Sequence, residues 1–306
     1  MNLDGLSIGQ VALAALMDVA FAFALGSALL EGWLARDGAG MRSAPSHAAW
    51  HRARGSLVAA AFALVLADAG WFFYQAASMS GTGLVAAIGV VPTAIAKTHV
   101  GHAWCAAFAG SVLLLLAALS HRGGRVGRIA FWLAALVVAA SKASLGHAAD
   151  AGAWSAAVGI HALHVLATGV WGGIVLAGGF VVLPALDGSP ARGALIRLAS
   201  RVSQASLVAL GVVVLTGSLN AERGLGGSVA SLQSSAWGHL LTLKLALVLL
   251  AVVLGGLNRI SALPRLRRTA ATTDAHTFNN VLHLEALAMV AIFIAAAVLA
   301  HTAPAA

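Results

Sequence analysis

Long apolar runs separated by short clusters of Arg, Gly, Pro and polar residues set the pattern of this chain. Eight runs of about 20 residues stand out, at about 11–33, 56–78, 99–119, 129–146, 159–184, 200–219, 237–257 and 278–300. Each is long enough as α-helix to cross a hydrocarbon core of about 30 Å. The stretch 84–96, LVAAIGVVPTAIA, is apolar but short and interrupted by Pro92. It predicts a re-entrant or interfacial segment packed before the third span rather than a ninth crossing. The period-2 alternation of membrane β-strands is absent. The pattern predicts an all-α polytopic membrane protein, a bundle of about eight transmembrane helices forming one domain over 1–306.

Composition agrees. Of 306 residues, 9% are charged and 60% apolar, against roughly 25% charged in soluble domains. The net charge of +8 would suggest nucleic acid in a soluble chain. Here it comes from arginines in the connections, so no nucleic-acid partner is expected and the bilayer is the expected one. The single cysteine, Cys105, excludes an internal disulfide and a Cys-rich zinc site. The first ten residues hold Asp4 but no Lys or Arg, so the first span is expected to be retained rather than cleaved as a signal.

The arginines alternate between connections. Arg36, Arg42, Arg52 and Arg54 separate spans one and two, and Arg122, Arg125 and Arg128 separate three and four. Arg192, Arg197 and Arg201 flank the start of six; Arg259, Arg265, Arg267 and Arg268 follow seven, leaving Arg223 as the exception. The Lys/Arg bias retains loops in the cytoplasm, so both termini are expected on the periplasmic side of a bacterial inner membrane.

That topology sorts the twelve histidines. His99 and His102 open span three, His147 closes four, His161 and His164 open five, His239 opens seven and His301 closes eight. All seven fall at the outer membrane level. Residues three apart share a helix face, so His161 with His164, and His99 with His102, can each aim two imidazoles at one site. Met17, Met79 and Cys105 map to the same half as candidate soft ligands. Imidazole, thioether and thiol together suit copper, Cu(I) above all. Against this, a single interfacial histidine is usually a headgroup-level group, and a buried Met or Cys is usually packing.

Asp18, Asp68, Lys142, Lys244 and Glu285 fall inside spans, where an ionised group costs at least about 2.5–3.5 kcal/mol. They are expected to face the bundle and pair, or to line a wet path, and Asp68 and Lys244 are the candidates for the path. Trp171, two turns beyond His164, is a candidate wall of that path. Gly172 and Gly173 beside it are read as a close helix approach.

Several stretches resemble the bacterial copper resistance D family (CopD or PcoD). They are HALHVLATGVWGGIVLAGGF (161–180), RLASRVSQASLVALGVVVLTGSLNA (197–221) and SSAWGHLLTLKLALVLLAVVLGGLNRISALPRL (234–266), with the closing LEALAMVAIFIAAAVLAHTAP. The likeness is strongest over 140–304. It implies an inner-membrane protein of copper uptake or homeostasis, often working beside a periplasmic copper-binding protein of the CopC type. Many relatives are expected to carry a basic residue where His102 stands, which sets His102 apart from His147, His161 and His164.

Two functions follow from the residues. One is a transporter, not an enzyme, taking Cu(I) or Cu(II) from the periplasm through the outer histidines and inward past Trp171, Asp68 and Lys244. No Walker or P-type phosphorylation sequence is present to couple it directly to ATP. The other is a membrane cytochrome holding haem b between facing helices, with His99 or His102 and His147 or His161 as axial ligands. A purely structural scaffold would explain the hydrophobicity but not the outer histidines.

Overall fold

A computed structural model describes residues 5–120, 124–146, 152, 155–226 and 228–304. His147 and Arg122 therefore lie outside the described residues. The described chain is helical, and eight of its helical segments are long and apolar enough to cross a membrane.

The helices are α1 (Gly5–Arg36), α2 (His47–Ser80), α3 (Leu84–Ala87), α4 (Val91–Lys97), α5 (His99–Leu119) and α6 (Arg125–Ala143). They continue as α7 (Ala156–Ala177), α8 (Arg192–Gly224), α9 (Ser231–Ser234), α10 (Ala236–Leu257), α11 (Leu263–Thr269) and α12 (Thr272–Ala300). The long ones run up and down, so the arginine-bearing connections collect at one end of the bundle. The described chain ends collect at the other. These are called the arginine end and the terminal end.

Several helices outrun the apolar segment that predicts them. In α2 the polar start HAAWHRARG is helical because Ala49 and Ala53 are fully buried, so packing extends a segment that hydropathy alone would stop at about residue 56. The 84–96 stretch forms the two short helices α3 and α4, with Pro92 in the first turn of α4, where its missing N–H costs nothing. Ala87 packs on Ala76 and Ala77 at the terminal end of α2. Thr98 caps α5 by accepting from the Gly101 N–H at 2.9 Å.

Helices α1 and α7 form the centre. A Cβ on Gly26 would fall 1.9 Å from the Gly173 carbonyl oxygen, and one on Gly173 would fall 1.9 Å from that of Ala22. Ala22-x-x-x-Gly26 thus meets Gly169-x-x-x-Gly173, and the missing side chains let two backbones touch, as membrane helix pairs require. Gly172 opens the adjoining face of α7 to the ring of Phe293 on α12. Around this centre α2 packs on α1, α6 and α8 on α7, α5 on α2 and α6, and α12 on α1, α7 and α10.

Two π-helical turns interrupt the long helices, at Gly178–Val182 after α7 and Asn258–Ala262 after α10. Each is followed within two residues by a proline, Pro184 or Pro264. A widened turn relieves the clash between the ring and the carbonyl four residues earlier. At this end Asp37 receives Arg201 at 2.9 Å and Arg197 at 3.3 Å, tying the end of α1 to the start of α8.

Candidate functional site

At the terminal end the described histidines share a level but not a direction. His161 and His164, three residues apart on α7, both turn toward α8, with ring centroids 6.3 Å apart and planes inclined by 21°. His99 and His102 are exposed on the outer face of α5. His239 is exposed and bonds the Gln233 carbonyl at 2.9 Å, and His301 bonds the Ala297 carbonyl at 2.8 Å. The expected gathering of the outer histidines therefore reduces, among the described residues, to one pair. No group of three His, Cys, Asp or Glu among the described residues is placed to hold a metal ion. Of the soft candidates, Met17 is buried in the packing between α1 and its neighbours, Met79 is exposed at the end of α2, and Cys105 is a half-buried free thiol.

The pair is oriented by α8. His164 Nδ1 stands 2.9 Å from Thr216 Oγ1. The Thr216 hydroxyl spends its own proton on the Val212 carbonyl at 2.7 Å, so at His164 it accepts. The imidazole proton is therefore on Nδ1, and the Nε2 lone pair is free. Gly217 keeps the neighbouring space clear, since a Cβ there would fall 3.1 Å from the His164 ring. His161 Nδ1 stands 3.2 Å from Asn220 Nδ2. The amide donates to it, and a half-turn of that amide exchanges donor for acceptor and gives His161 the same tautomer as His164. Thr216 and Asn220 were legible only as polar residues four apart in a span, which puts them on one face of α8.

Below the pair, Thr168 and Trp171 continue the same face of α7. Thr168 Oγ1 is buried without a hydrogen-bond partner, and Trp171 is 3% exposed in the central packing. Beside the pair, Lys244 of α10 bears electrostatically on both rings.

The intramembrane charges pair in part as expected. Asp18 of α1 and Lys142 of α6 form an ion pair at 2.7 Å, close enough for its charges to be felt at His161 and at Asp68. Asp68, 1% exposed, accepts a hydrogen bond from Ser111 of α5 through Oδ2, while Oδ1 has no partner. Trp104 Nε1 donates to its backbone carbonyl at 2.9 Å. Asp68 thus belongs to the α2–α5 contact. Glu285 on α12 is buried against α10, where a Cβ on Gly255 would fall 3.0 Å from its Oε1.

Comparison with curated proteins and with solved structures gives no significant match. Family models do match. One described as copper resistance protein D covers residues 196–299, and one described as copper resistance protein D-like, N-terminal domain covers 4–157. The likeness thus reaches well upstream of residue 140, and the paired histidines of α7 stand between the two matched stretches. The chain belongs to the copper resistance protein D family, a membrane family with a role in copper resistance and homeostasis.

Proposed function

We propose that this protein moves copper across the bacterial inner membrane from the periplasmic side, with His161 and His164 as the first intramembrane ligands for the ion. The observation that carries the reading is the orientation of His164. Its Nδ1–H is held by Thr216, which leaves Nε2 as a free donor. This is the outer-shell arrangement found where imidazoles ligate metals. Two imidazoles on one face form a borderline donor pair suited to copper.

His147 belongs to the same proposal as a third donor, because the sequence puts it between the end of α6 and the start of α7. His99, His102, His239 and His301 are then collecting groups at the membrane surface. Beyond the pair, the unpartnered Thr168 hydroxyl and Trp171 mark the inward direction along α7. Lys244, Asp18 and Lys142 set the local charge there, with Asp68 at the far end of that chain of charges. A periplasmic copper-binding protein of the CopC type is the proposed donor.

Axial ligation of haem by His99 or His102 together with His161 needs two facing helices. Helix α6 stands between α5 and α7, and His99 and His102 face away from the bundle, so the geometry favours copper as cargo.

The test is uptake of Cu(I) by proteoliposomes reconstituted with wild type, His161→Ala and His164→Ala. The reading expects uptake to fall at least tenfold in each variant. Undiminished uptake in both would remove the pair from the pathway.

A further inference from the structure

At the arginine end a cleft separates the start of α8 from the turn after α10. It has a volume of about 170 Å³ and is lined by Ser200, Ser203, Gln204, Arg259, Leu263 and Arg267. At about 30 Å³ per water, that is room for roughly five or six waters, or for a phosphodiester group. Arg259 Nη1 reaches across to Ser203, 2.8 Å from Oγ and 3.2 Å from the carbonyl. Arg267 Nη2 donates to Ser200 Oγ at 2.6 Å. These bonds use one NH2 group of each guanidinium and fix both side chains at the cleft.

Neither arginine has a carboxylate within ion-pair distance among the described residues. The contrast with Arg197 and Arg201, which share Asp37, is sharp. Asp274, at the start of α12, accepts from Thr269 at 2.5 Å and does not line the cleft. Two fixed guanidiniums with remaining donors and no counter-charge form a site for an anion with several oxygens.

The flanking surface says which anion. Helices α8 and α10 are the least buried of the eight spans. Near the cleft they present Leu207 and Val208 on one side and Val253, Leu257 and Ile260 on the other, all about half exposed or more. The cleft lies where these apolar faces end and the arginines begin, the level at which headgroups are expected. The π-helical turn Asn258–Ala262 carries Arg259 at this boundary. A ligand matching both parts has a phosphate group and acyl chains. Basic pockets between membrane helices on the cytoplasmic side take such headgroups.

We propose that this cleft is a binding site for an anionic phospholipid. The phosphate is held between Arg259 and Arg267, with Ser200 and Ser203 setting the two guanidiniums, and the acyl chains lie along the exposed faces of α8 and α10. The site is independent of the copper pathway, so failure of either reading leaves the other standing.

The test is native mass spectrometry of the full-length protein in detergent with added phosphatidylglycerol or phosphatidylethanolamine. Inorganic phosphate serves as competitor, and thermal unfolding is followed in parallel. The expected result is one phosphatidylglycerol per chain, retained in preference to phosphatidylethanolamine and not displaced by millimolar phosphate. Retention should fall about tenfold in the Arg259→Gln/Arg267→Gln variant and recover in large part in Arg259→Lys/Arg267→Lys. Equal retention in the Gln variant, with its lipid-free melting temperature matching wild type, would overturn the site. If the Gln variant fails to fold, wild-type protein decides: no preference for phosphatidylglycerol overturns the proposal. Stabilisation by inorganic phosphate alone, with phosphatidylglycerol adding nothing, would assign the cleft to a free anion and overturn the lipid reading.

Discussion

Thr216 decides what His164 offers to a ligand. Its hydroxyl donates to Val212 and accepts from the imidazole, so replacing it by valine keeps the volume and removes the acceptor. Thr216→Val is expected to fold normally and to weaken copper binding about 10- to 100-fold, the usual cost of losing an outer-shell partner. Competition with a chromophoric Cu(I) chelator measures it. Asp37 shows a different residue-scale effect, outside the membrane spans. Burial alone would raise its carboxyl, but hydrogen bonds and charge from Arg201 and Arg197 outweigh it and hold the group below the usual carboxylate range. A carboxylate lowered in this way stabilises the fold above its unfolded pKa of about 3.9, and that contribution is lost as pH falls through the folded value. Both arginines are partly exposed, so the contribution is about 1 kcal/mol at most. Asp37→Asn should therefore melt a few degrees below wild type at pH 7, and the difference between the two should shrink as pH falls through the lowered pKa of Asp37.

At the scale of elements, the α1–α7 contact is the least tolerant place in the fold. Gly26→Ala would put a methyl carbon 1.9 Å from a backbone oxygen, and backbone cannot swing aside as a side-chain tip can. The expected cost is about 3 kcal/mol, read as loss of monodisperse protein on size exclusion. Gly256→Ala on α10 meets nothing within 4 Å and should be neutral or slightly stabilising. Span number and order were legible in the sequence because hydrocarbon thickness fixes length. Pro92 marked the break in the 84–96 stretch, whereas the widened π turns before Pro184 and Pro264 did not show. The direction in which each helix turns was not legible from hydropathy. A lipid-facing surface is as apolar as the core, so the stripe that orients a soluble helix is missing. Helix α5 makes the point, since His99 and His102 share the level of His161 yet face outward. The small buried residues Gly101, Ala103, Ala107 and Gly110 mark its packed side, and that pattern, rather than the histidine spacing, carried the usable signal.

For the whole molecule, the arginines at one end imply an orientation. By the positive-inside rule we expect that end in the cytoplasm and both termini in the periplasm. A C-terminal alkaline phosphatase fusion should be active and a fusion to a fluorescent protein that matures only in the cytoplasm dark; the opposite pair of results would invert the molecule and the proposed direction of copper. That orientation would put the α7 histidine pair at the outer mouth and the arginine cleft at the inner leaflet, so that copper and lipid would act at opposite ends of one bundle. Copper stoichiometry decides whether the α7 pair binds the ion. Purified protein, loaded with Cu(I) under reducing conditions and desalted, should retain about one copper per chain. His161→Ala and His164→Ala should each retain little, and His99→Ala should match wild type. Full retention in the His161→Ala/His164→Ala double variant would show that the pair does not hold copper.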